Sequence, residues 1–118
     1  MEIDIGELNK KISILSIYDE EDIELNQLIP KEKELRKPWA KVRQTGGTEV
    51  IENLKISSET YKEFTIRFVD GITKDMKIRY KEEMYDIISI EDVEEKGQFL
   101  IIKASNVEEK SDVNEYGI

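Results

Sequence analysis

The 118-residue chain contains no cysteine and no histidine. Without cysteine there can be no disulfide, thiolate nucleophile or zinc–thiolate site. Without histidine the usual near-neutral acid–base group and the commonest metal ligand are missing too. Most hydrolase constellations are thereby excluded. Bases are the minority charge, 18 Lys and Arg against 27 Asp and Glu, for a net charge of −9. Non-specific binding to DNA or to anionic membrane is driven by Lys and Arg, so repulsion from polyanions is expected. No apolar run approaches the length of a membrane-spanning helix, and the opening residues lack the basic and apolar regions of a signal peptide. The expectation is a soluble protein made in the cytoplasm, long enough for one core and too short for two.

Residues 11–17 are β-branched and roughly alternating, which predicts a strand after a turn or short helical piece near Gly6. Residues 18–24 then carry five carboxylates and no base, and like-charge repulsion points to an exposed loop. Asp19, Glu20, Glu21 and Asp22 lack the alternating ligands and central glycine of a calcium loop. Residues 25–37 read as a connection interrupted by Pro30 and Pro38, which have no amide donor and bias the preceding residue to extended geometry. Trp39, Lys41 and Arg43 next alternate with Ala40 and Val42, predicting a second strand with Trp39 in the core or at its rim.

Residues 44–60 open with Gly46 and Gly47, and then place Val50, Ile51, Leu54 and Ile56 at spacings that fit neither helix nor strand. A long loop containing a helical turn is the first reading. The alternative is a short amphipathic helix over 48–55 capped by Thr48.

From Tyr61 the pattern is clear. Phe64, Ile66 and Phe68 alternate with Thr65, Arg67 and Val69 until Asp70 and Gly71 supply turn residues. Met76, Ile78 and Tyr80 follow, then residues 84–90, a charged turn over 91–97, and residues 99–104. The fold class is therefore all-β: a small antiparallel β-barrel of about six strands with a long loop between strands 2 and 3. Residues 1–104 form the domain, and the polar, acidic residues 105–118 a tail that is frayed or ordered by a partner.

Six pieces in order, Ile5-Gly-Glu-Leu8 with Lys11-Ile-Ser-Ile14, Pro38-Trp-Ala-Lys-Val-Arg43, Gly47-Thr-Glu49, residues 66–80, Tyr85-Asp-Ile-Ile-Ser-Ile90 and Leu100-Ile-Ile-Lys-Ala104, resemble the head–tail joining (head-closure or stopper) proteins of tailed bacteriophages and prophages. The acidic linker between the first two strands and the acidic tail depart from that pattern. The resemblance implies a subunit, monomeric in isolation, that forms a ring below the portal and adaptor of the virion's head–tail connector. The ring closes the DNA exit channel and offers the tail its attachment surface. It further implies that Gln44, Thr45, Gly46, Gly47, Thr48, Glu49, Val50 and Ile51 belong to a channel or assembly loop. Lys41, Arg43, Arg67 and Arg79 are either solvated faces or candidate subunit-contact bases, which in a ring of acidic subunits would pair with a neighbour's carboxylates. The implied partners are portal, adaptor and tail proteins. DNA is only channel contents, and no membrane, cofactor, metal or catalytic residue is expected.

Two rivals belong to other positions or classes. One is a tail-completion or adaptor protein of the same assembly. The other is a non-viral β-barrel binding module, whose basic, aromatic-lined groove is at odds with the net charge. An enzyme would need a carboxylate pair or a Ser–Lys dyad, and no nucleophile motif such as Gly-x-Ser-x-Gly is present.

Overall fold

A computed structural model describes residues 3–52 and 55–110. A 3-10 turn, Ile5–Glu7, capped by the Asp4 carboxylate accepting from the Gly6 amide at 2.9 Å, leads into eight strands. These are β1 (Lys10–Lys11), β2 (Ser13–Asp22), β3 (Gln27–Arg36), β4 (Trp39–Glu52), β5 (Lys55–Arg67), β6 (Lys77–Tyr80), β7 (Glu83–Asp92) and β8 (Phe99–Lys110). They form one antiparallel sheet in the order β1-β4-β5-β8-β7-β6-β2-β3. The all-β, antiparallel reading holds. The sheet is open and has more strands than expected, and its curl follows from one junction.

Only Ile12 separates β1 from β2, yet the two strands lie towards opposite ends of the sheet order. Lys10 and Lys11 pair with Ala40 and Trp39 of β4, while Ser13, Ile14 and Leu15 pair with Arg79, Ile78 and Lys77 of β6. One continuous segment thus touches both ends, which forces the sheet to curl around the face it buries. The Ile12 amide at the junction donates to the Pro38 carbonyl at 3.2 Å, so the switch leaves no orphaned donor there. Ile12, Ile14, Ala40, Phe64, Ile66, Ile78, Tyr85 and Ile102 fill the interior. The Phe64 ring meets Tyr80 and Tyr85 edge-on, with centroids 5.9 and 5.5 Å apart, the arrangement that aromatic quadrupoles favour.

Several expectations change. The acidic stretch and the connection after it are the hairpin β2–β3. Its register sets Asp19, Glu20, Glu21 and Asp22 opposite Pro30, Ile29, Leu28 and Gln27, so every acid faces a neutral residue and local repulsion does not prevent pairing. Pro30 fits because β3 is an edge strand. The expected long loop between the second and third predicted strands is instead a paired hairpin. β4 runs on to Glu52 and β5 starts at Lys55, with neither a loop nor a helix over the described part of 48–55; Leu54 lies outside the described residues. β5 stops at Arg67, which leaves Phe68 exposed while Val69 packs on the core. β8 continues past Ala104 to Lys110, and residues 111–118 lie outside the described part.

Two predictions follow from this geometry. The β6–β7 turn holds Lys81 and Glu82 at φ 51° and 67°, the left-handed region that Asn-Gly adopts with little strain. Replacing the pair, Lys81→Asn with Glu82→Gly, raises unfolding free energy by about 1 kcal/mol in urea titration. The Tyr85 hydroxyl, on a side chain only 1% exposed, donates to Glu83 Oε2 at 3.1 Å. Burial first, and that carboxylate second, push its ionisation from 10.0 up to about 12. The folded value lies above the unfolded one, so this contribution is fully present below pH 10 and is lost as pH rises towards 12. Stability measured across that window falls, and Tyr85→Phe reduces the fall by up to about 2 kcal/mol.

Candidate assembly site

The described buried residues of β4 and β5 lie at one end of a long ladder. In β4, Ala40 is buried and Val42 packs on the core, and in β5 Phe64, Thr65 and Ile66 are buried. Beyond the Arg43–Glu63 pairing, the β4–β5 ladder continues to Glu52 and Lys55. β8 accompanies it, with Tyr61 opposite Ser105 and Ile56 opposite Lys110. The result is a three-stranded arm reaching about 30 Å beyond the core at strand rise. The radius of gyration, 17.4 Å, exceeds the roughly 13.5 Å of a compact chain this long.

Gln44, Thr45, Gly46 and Gly47 begin this arm. Gln44 pairs with Lys62 and Gly46 with Tyr61, which leaves Thr45 as an extra, bulged residue. The glycines follow the bulge with no unusual φ. What they provide is close approach: a Cβ on Gly47 would sit 3.3 Å from the Glu59 carbonyl oxygen, and one on Gly46 would sit 3.6 Å from the Tyr61 ring. Thr48, Glu49, Val50 and Ile51 continue β4 opposite Glu59, Ser58, Ser57 and Ile56. A hollow of about 660 Å³ over Gln44, Thr45, Gly46, Gly47, Ser58, Glu59 and Thr60 is open and polar. It lacks the apolar walls of a small-molecule pocket.

The four candidate bases do not come together. Lys41 meets Glu7 at 2.8 Å, Arg43 spans both Glu63 oxygens at 3.3 Å, and Arg79 grips both Glu32 oxygens at 2.8 and 2.5 Å. Those three charges are answered within the chain by exposed pairs that contribute little stability each. Arg67 has no acidic partner among the described residues. It lines a cleft of about 220 Å³ with Ile5, Leu8, Pro38 and Trp39. Trp39 sits at the rim, 54% exposed, and Lys11 Nζ lies 4.6 Å from its ring centroid, within cation–π range.

The β2–β3 hairpin is the surface that sequence reasoning missed. At its turn the Asp22 carboxylate accepts from the amides of Glu24 and Leu25 at 3.0 and 3.2 Å, and Asn26 takes φ 52°. The turn thrusts Ile23, 87% exposed, together with Leu25 and Leu28, into solvent beside the acids. An Asp followed four residues later by Asn, between alternating segments, was the available signal. Among the described residues no group of three or more acids is placed to hold a metal ion, and no helix is long and apolar enough to cross a membrane.

The chain matches the family model described as phage head completion protein over residues 3–109. No match was found among curated protein sequences. Among solved structures, a chain from the virion of a native gene transfer agent particle aligns with a TM-score of 0.67 at 12% identity, over 85% of this chain and 94% of that one. Protein SF1141 from Shigella flexneri 2a, solved in solution, aligns with a TM-score of 0.60 at 18% identity, over 88% of this chain and 96% of that one. At such identities the likeness is one of fold.

Residues 58–61 are half-buried whereas Phe64, Thr65 and Ile66 of the same strand are buried, so β5 opens more readily away from the core. In native-state amide exchange, residues 58–61 are at least roughly a hundredfold less protected than residues 64–66 of the same strand. Equal protection along β5 would show the arm to be part of the core's cooperative unit.

Proposed function

Because the chain belongs to the phage head completion protein family, matched over residues 3–109, we propose that it is a ring-forming subunit of the head–tail connector. Membership makes it a structural component of the phage head–tail assembly, in contact with other virion proteins. The ring sits below the portal and adaptor, closes the DNA exit channel and gives the tail its attachment surface. The observation that carries this reading is the arm. A three-stranded ladder that runs on past the described buried residues of β4 and β5 can, in a ring, reach the axis or lie along a neighbour.

The charge supports the same reading. A chain at −9 lining a channel repels phosphate, so DNA slides without adhering and the gate blocks by shape. Gln44, Thr45, Gly46 and Gly47 form the base of the gate and Thr48, Glu49, Val50 and Ile51 its outward strand. Arg67, which has no acidic partner among the described residues, has a charge that a subunit contact could use.

Two genetic experiments test the proposal. Without the gene, heads package DNA, lose it and remain untailed; full heads with normal tails would contradict the assignment. Replacing residues 48–57 with a two-residue turn leaves Ala40, Phe64, Thr65 and Ile66, the buried residues of β4 and β5 among those described, in place. Particles carrying this shortened arm attach tails yet leak DNA, measured as nuclease-sensitive genome in purified particles. Full retention would remove the arm from the gate.

A further inference from the structure

Two unpartnered surfaces of this molecule are complementary, and the continuous segment β1–β2 runs from one to the other. At its start, Lys11 covers one face of Trp39, and the neighbouring cleft is walled by Ile5 and Leu8 and edged by Arg67. At its other end, past the ten residues of β2, the hairpin turn exposes Ile23 with Asp22 and Glu24 on either side. A ten-residue strand spans about 33 Å, so the turn and the cleft of one chain stand far apart.

We infer that the β2–β3 turn of one copy docks in the Trp39 cleft of the next, with Ile23 in the apolar cleft and the flanking carboxylates on Arg67 and Lys11. This names the subunit contact of the proposed ring and rests on that reading. Charge selects the occupant. Two chains at −9 repel, and of the four candidate bases Lys41, Arg43 and Arg79 already hold carboxylates of their own. In the cleft an apolar pocket meets Arg67, a base without an acidic partner among the described residues, with Lys11 beside it. The turn is where an exposed branched side chain is framed by acids. Because the two patches differ, the contact is head-to-tail, the type that closes into a ring or runs on as a filament.

The absence of cysteine makes the test clean. Ile5 is 52% exposed at the cleft edge, so Ile5→Cys and Ile23→Cys leave the core untouched. In particles assembled with the double variant, mild oxidation yields a ladder of dimers, trimers and larger species of this chain. Particles with either single variant give no ladder. Adding Arg67→Glu to the double variant cuts the cross-linked fraction by roughly tenfold, and adding Glu24→Arg to that chain restores part of it. Copies per head are counted by mass spectrometry in the same particles. Many copies without a ladder would overturn the contact and leave the ring standing. One copy per head would remove both. Adducts of the Ile23→Cys chain with a different virion protein would assign the turn to another partner and overturn the inference.

Discussion

The structure depends on a single sheet curling far enough to bury one of its faces, and the stretch around Ile12 enforces that curl. A flat eight-stranded sheet would leave Phe64, Ile66, Ile78 and Ile102 in water. Pairing one segment with β4 on one side of Ile12 and with β6 on the other makes flatness impossible. Phe64 then sits against Tyr80 and Tyr85, and the side chains around them are almost wholly excluded from solvent. Hydrophobic burial of this kind supplies most of a small domain's stability. Little of it extends into the β2–β3 hairpin beyond Leu15.

That division of labour explains the molecule's shape. The described core uses the start of β4, the end of β5, the start of β8 and the start of β2, while the remaining residues of those strands continue as backbone-paired ladders. Such projections are poor investments for a monomer and good ones for a subunit, because neighbours can complete them. The side chains agree: Arg79, Arg43 and Lys41 are satisfied internally, whereas Trp39, Arg67, Ile23 and Leu28 are left facing solvent. An acidic chain assembling with itself needs few attractive contacts, well placed, against a background of repulsion.

Much of the core was legible in the sequence. Phe64, Ile78 and Tyr80 alternate in runs bounded by Asp70-Gly71 and Lys81-Glu82, and those runs are strands or their immediate flanks. The hairpins were not legible, and the reasons are physical. Residues 18–22 look repulsive when read along the chain, but a strand's energetics depend on what lies across from it, and there the partners are neutral. Pro30 signals a break unless the strand is known to be an edge. Gly46 and Gly47 suggest a loop, whereas a bulge and a close approach to β5 use the same residues. The extension of β8 to Lys110 depends on β5, a partner distant in sequence. The segment 44–51, which the resemblance marks as a loop, is here a bulged strand paired with β5, a conformation that the glycines alone do not reveal.

Electron cryo-microscopy of the head–tail junction, with this chain traced in density, tests the central claim most directly. The account predicts a closed ring of copies beneath the portal, each pointing its β4–β5 arm at the channel axis while its curled core forms the wall. Density showing the chain as isolated copies, or with the arms directed away from the DNA path, would contradict it.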